Sequence, residues 1–146
     1  MELISIMQGI AIITMSLLTG SMVFFSFVMA PLIFIKLEID VAGRFVRAVF
    51  PWYYLIIIVL ASIACLLLFA FAPLNSGLTA LVAGSGVYCR QYLMPKINGY
   101  RDRSLAGEKE VSKIFDRLHK RSEIINGLQL VATFAVLVHI AFVDFA

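Results

Sequence analysis

Residues 51–72 read PWYYLIIIVLASIACLLLFAFA, a run without a single charged side chain. A helix needs about 20 apolar residues to cross the hydrocarbon of a bilayer, so this run by itself predicts a membrane span. Pro51 would open it at the first helical position, where a missing N–H costs nothing. Three more apolar runs flank it at Leu3–Ile35, Leu78–Leu93 and Ile124–Phe145. The first exceeds the bilayer and should tilt or carry its Pro31 end into the interface. Pro73, Asn75, Ser76 and Gly77 predict an uncharged turn between the second and third runs. Pro95 and Gly99 should end the third. The implied fold class is all-α: one domain over residues 1–146, an integral membrane bundle of four transmembrane helices.

The charges set the orientation. All 12 Lys and Arg fall in Lys36–Arg47 and Arg90–Arg121. Cations are retained on the cytoplasmic side of short loops, which predicts both windows inside and both termini periplasmic, with a bacterial inner membrane as the expected location. The composition is 62% hydrophobic and 14% charged, against about 45–50% and 25% in a soluble domain. The basic residues flank apolar runs and have acids among them. They read as partners for anionic membrane lipid, not for nucleic acid. Cys65 and Cys89 lie inside apolar runs at different expected depths, so no disulfide is predicted. The first run lacks a basic leader and is too long for a signal-peptide core; it should remain as a helix.

Between spans one and two, Asp40 is placed to cap a helix over Val41–Phe50, with Val41, Phe45 and Val49 on one face. Between spans three and four, Val111, Ile114, Phe115 and Leu118 mark an amphipathic cytoplasmic arm from about Glu108 to Arg121. No Pro or turn cluster separates this arm from the fourth run, so it is read as that helix's extension.

One polar stripe could carry a function. From Phe115, helical steps reach His119, Ser122, Asn126, Gln129 and Thr133, within about 80° of one another at 100° per residue. Polar groups at membrane depth must find partners or water, so the stripe should face the bundle interior. Tyr53 and Tyr54 of span two and Arg90, Gln91 and Tyr92 of span three share its depth, and Glu123 is a candidate counter-ion for Arg90. A ligand-binding pocket open to the cytoplasm is therefore predicted from His119, Ser122, Asn126, Gln129, Arg90, Tyr53 and Tyr54. Simple helix–helix adhesion through these groups is the competing reading.

Other features are weaker. Met15, Met22 and Met29 are spaced for a thioether ladder, but seven-residue steps of about 10 Å let no ion touch two of them, and packing is the better reading. His119 and His139 are too far apart on one helix to share a haem or metal. Gln8 is within possible reach of His139. Ser16 with Gly20, and Ala80 with Gly84, have spacing that allows close helix approach. The sequence contains no phosphate loop, catalytic carboxylate pair, Cys/His metal spacing or nucleophile triad. No catalytic residue, metal or cofactor is predicted.

The chain resembles a family of small four-span proteins of unknown function that includes transmembrane protein 205. The resemblance is carried by Gly20, Phe24-Phe25 and Pro31; Gly43; Phe50-Pro51 and Tyr53-Tyr54; Met94-Pro95; and Phe115-x-x-Leu118-His119-x-x-Ser122-x-x-x-Asn126. That group is distantly similar to the copper-resistance protein D group and to HemJ, which implies an alternative: a haem- or porphyrin-linked membrane redox protein with haem b. HemJ-like proteins are similar in having a histidine early in span one; Gln8 occupies that region here. The reading is thus a non-enzymatic membrane protein that binds a small ligand, lipid or ion, or serves as an accessory subunit, with a homo-oligomer or larger membrane complex open to it.

Overall fold

The computed structural model describes residues 2–143, the side chain of Lys109 apart. It contains four long helices and, among the described residues, no strand. Helix α1 is Glu2–Lys36 and α2 is Ile39–Leu68. Helix α3 runs over 73–105, and α4 is Lys109–Phe142. The predicted end of the fourth run at Phe145 lies outside the described residues.

Short links force neighbouring helices to run antiparallel. α1 packs on α2 and α4, and α3 packs on α2 and α4, which closes a four-membered ring. Both basic windows gather at one end of the bundle, where Arg47 reaches Asp102. At the opposite end Gln8 donates to the Ile140 carbonyl at 3.0 Å, and Asn75 Nδ2 lies 2.7 Å from His139 Nδ1. Gln8 thus meets the α4 backbone, while Asn75 meets the histidine. Gly107 has φ 99°, a left-handed conformation open to glycine at little cost. It turns the chain from α3 to α4, and Arg103 and Glu108 bracket it with an ion pair of 2.6 Å.

Three helices, α1, α2 and α4, are long and apolar enough to cross a membrane. The most apolar windows of these helices are only 28%, 33% and 22% buried. Leu3, Ile13, Phe27, Leu66, Phe69 and Val131 all point outward. An apolar surface of this extent is far beyond what a water-solvated monomer shows. Helix α3 is not among the three: Asn75, Ser76, Arg90 and Gln91 dilute its apolar run.

Several predicted boundaries are corrected. Pro51 lies inside α2, so the segment over 41–50 is continuous with span two. Asp40 sits in the first helical turn, with Glu38 at the cap. Val41 and Phe45 face outward, while Ala42 and Gly43 face in. Helix α2 ends at Leu68 and α3 begins at Pro73, so Asn75, Ser76 and Gly77 are helical and the turn is 69–72. Helix α3 continues through Pro95 and Gly99 to Leu105. The amphipathic arm is the first part of α4, as its lack of a breaker suggested.

Two prolines are absorbed by the same device. Phe25–Met29 and Cys89–Leu93 are π turns, and each ends two residues before a proline. In each, the residue before the proline donates five residues back: Ala30 to Phe25, and Met94 to Cys89. Proline has no N–H and crowds the carbonyl four residues behind it. A widened turn lets the helix pass this point without breaking. It also changes the facing of later positions: Met15 and Met22 are fully buried, whereas Met29, at the end of the first π turn, is only half-buried.

The small residues singled out by spacing, Ser16, Gly20, Ala80 and Gly84, face outward. The close approach occurs at Gly86, where an added Cβ would sit 3.0 Å from Ile58 Cγ1 and 3.5 Å from Ile57 Cγ2. Gly86→Leu should therefore destabilise the bundle by about 1–3 kcal/mol through overpacking. Gly84→Leu, with nothing within 4 Å of its Cβ, should leave stability nearly unchanged. Unfolding in a mild detergent titrated with SDS measures both.

Candidate functional site

The polar stripe of α4 faces its neighbours, but its members separate into two groups. Deepest, Thr133 donates to the Leu130 carbonyl at 3.0 Å and touches Met22 sulfur. Gln129 donates to Ser85 Oγ at 2.8 Å and to the Val82 carbonyl at 3.4 Å, tying α4 to α3. Its Oε1 is buried without a hydrogen-bond partner among the described residues. These two residues serve adhesion inside the bundle. Neither lines the groove nearer the basic end.

Nearer the basic end, the chain opens. Tyr53 hydroxyl donates to Asn126 Oδ1 at 2.6 Å, and Asn126 Nδ2 donates to Ser26 Oγ at 3.1 Å. Three helices are joined through one amide. Phe25 stacks on Tyr53 with ring centres 4.4 Å apart, and Phe50 meets both rings edge-on. Tyr54 is buried beside Phe50. Ser122 donates to the His119 carbonyl at 2.7 Å. His119 stacks on Phe115 and lies 3.3 Å from Glu123.

Most of these groups, Tyr53 and Phe115 apart, line a groove of about 370 Å³ between α1, α2 and α4, inside the range of small-molecule sites. Phe25, Phe27, Phe34 and Phe50 supply apolar walls, with the Tyr54 ring among them; Ser26, His119, Ser122, Glu123 and Asn126 supply polar atoms. A smaller cavity of about 60 Å³ adjoins it, sharing Phe34, Phe50, His119 and Ser122. Such a lining suits an amphiphile: a chain or ring against the phenylalanines, and a polar group beside the amide and hydroxyls.

Of the seven predicted residues, Tyr54, His119, Ser122 and Asn126 line the groove, and Tyr53 supports it through Asn126. Gln129 stands deeper. Arg90 is turned elsewhere: its Nε donates to the Pro51 carbonyl at 3.0 Å, and Glu123 pairs with His119 instead. Gln91 and Tyr92 are exposed, with Tyr92 accepting from Lys96. Sequence spacing missed Ser26, Ser85 and Phe25. Ser26 sits between two phenylalanines in an apolar run, and its alignment with Asn126 depends on how α1 and α4 are staggered, which no single-helix pattern contains.

At the basic end, Arg47 donates to both oxygens of Asp102, at 2.7 and 3.3 Å, and to the Asn98 carbonyl at 3.5 Å. These bonds hold the Asp102 carboxyl below its ordinary range. Arg103 does the same for Glu108. Cys65 and Cys89 are free. Cys65 lies against Ser76.

A family model described as Domain of unknown function (DUF4149) matches residues 13–104, which reaches from α1 to the end of α3. No curated protein and no solved structure matches the chain.

A double-mutant cycle on Tyr53→Phe and Asn126→Ala should give a coupling of about 0.6–1.7 kcal/mol, as for hydrogen bonds within other membrane bundles; near-zero coupling would remove the bond from the account. The carboxylate pairs carry a pH sign. A depressed pKa stabilises the fold above the unfolded value, and this contribution fades as pH falls through the folded value. Thermal stability should thus drop below about pH 4, and Asp102→Asn combined with Glu108→Gln should flatten that drop.

Proposed function

For this chain, which belongs to the family described as Domain of unknown function (DUF4149), we propose a non-enzymatic role in a membrane: binding a small amphiphilic molecule in the groove between α1, α2 and α4. The observation that carries the reading is the pairing of phenylalanine walls with the Ser26, Ser122 and Asn126 polar floor in about 370 Å³. The groove lies on the side of the bundle where α1 and α4 present apolar side chains outward, so a ligand dissolved in lipid would enter laterally. The same reading has α3 crossing the bilayer as a fourth span between its partners α2 and α4, and places the basic end in the cytoplasm of a bacterial cell. The segments that resemble the transmembrane protein 205 group, at Phe50-Pro51, Tyr53-Tyr54 and His119–Asn126, fall around this groove, which supports treating them together.

Haem-linked redox chemistry is the alternative. His119 and His139 lie in opposite halves of α4, so a haem would have to be held by one histidine and a partner from elsewhere.

Native purification followed by mass spectrometry of co-purifying small molecules tests the proposal. Gly127 lines the groove, and nothing lies within 4 Å of where its Cβ would be. Gly127→Phe should fill the groove and abolish co-purification while leaving unfolding in SDS unchanged. Undiminished co-purification would refute the groove as the site. A Soret band in the purified protein that vanishes in His119→Ala would replace this reading with the haem one.

A further inference from the structure

A second cleft, of about 340 Å³, lies at the basic end between the start of α2 and the end of α3. Three arginines line it, Arg44 and Arg47 from α2 and Arg101 from α3, together with Asp40 and Asp102. Arg47 is engaged by Asp102. Arg44 and Arg101 have no ion pair among the described residues. Arg101 instead packs against α2. Its guanidinium lies against the backbone of Gly43, in the space that any Cβ at position 43 would take. A glycine is therefore what lets the planar group lie across α2, one turn from the positive end of that helix.

We propose that this cleft binds a phosphate group between Arg44 and Arg101. Guanidinium forks match phosphate oxygens in pairs, with geometry an ammonium lacks. With Asp102 engaged by Arg47, Asp40 is the one remaining carboxylate in the lining, and the cleft keeps a positive sign. Two sources offer this chemistry: the headgroup of an anionic phospholipid, and a free phosphate or phosphate ester. The site is separate from the groove and does not need the groove to be occupied.

The test uses the full chain in phosphatidylcholine nanodiscs doped with phosphatidic acid, with lipid retention read by native mass spectrometry. Inorganic phosphate and pyrophosphate are added as competitors. Arg101→Gln and Gly43→Val should each lower phosphatidic acid retention about tenfold, the worth of a charge-assisted hydrogen bond. Gly43→Val leaves every charge in place and acts by displacing the guanidinium and narrowing the cleft that Gly43 lines. If it does not fold, Gly43→Ala and Arg44→Gln serve instead. A Lys113→Gln/Lys120→Gln variant, which removes two charges outside the cleft, should retain the lipid like the parent. Retention that resists inorganic phosphate and pyrophosphate assigns a lipid headgroup; displacement by either assigns a soluble phosphate ligand. Equal retention by the parent and the cleft variants would overturn the proposal, as would equal loss in the lysine variant, which would signal diffuse attraction. Gly127→Phe should not affect this readout, which keeps the cleft and the groove distinguishable.

Discussion

The outward apolar faces of α1, α2 and α4 constrain everything else in this chain. With at most a third of the most apolar windows buried, packing within the bundle cannot remove that surface from water, and lipid is the solvent that accepts it. In such a solvent the hydrophobic effect does not pull one helix onto another. Helices are then selected by shape and by hydrogen bonds. Both appear here: Gly86 lets α3 approach α2, Gln129 joins α4 to α3, and Asn126 joins α4 to α1 and α2. The same constraint sends every Lys and Arg to one end, because no cation can remain in hydrocarbon at low cost.

That end is also where the helices loosen. The π turn at Phe25–Met29 widens α1 at the level of the groove, and the one at Cys89–Leu93 widens α3 where Arg90 crosses to the Pro51 carbonyl. A helix widened this way re-aims its side chains without losing its backbone bonds. Ser26, the partner of Asn126, belongs to the first of these turns. The groove and the arginine cleft thus flank the stretch where two prolines have been accommodated, with Gly43, Arg47 and Arg101 lining both the cleft and the small cavity next to the groove.

Periodicity along one helix was readable in the sequence; relations between helices were not. The stripe through His119, Ser122, Asn126 and Gln129 comes from uniform steps along α4, which contains no π turn, and it does face the bundle. The positions of Tyr53 and Tyr54 beside it came from depth alone. Arg90 failed because depth does not fix direction: the residue had an acceptor in the Pro51 carbonyl, closer to hand than Glu123. Pro51 reads as a helix start and Pro95 and Gly99 as breaks, yet helices continue through all three. Tertiary packing and the π turn before Pro95 outweigh the local cost of a missing N–H. The spacing of Ser16 with Gly20 and of Ala80 with Gly84 suggested contact faces, but the contact is at Gly86, which only the stagger of α2 against α3 determines.

Site-specific labelling in sealed, oriented vesicles reads the sidedness of the bundle. In a background lacking Cys65 and Cys89, single substitutions Lys36→Cys, Lys113→Cys and Leu74→Cys would be probed with a membrane-impermeant maleimide. Positions 36 and 113 should react from one side and position 74 only from the other. Reaction of positions 36 and 113 from opposite sides, or of all three from the same side, would contradict a bundle that spans lipid with its cations on a single aqueous face.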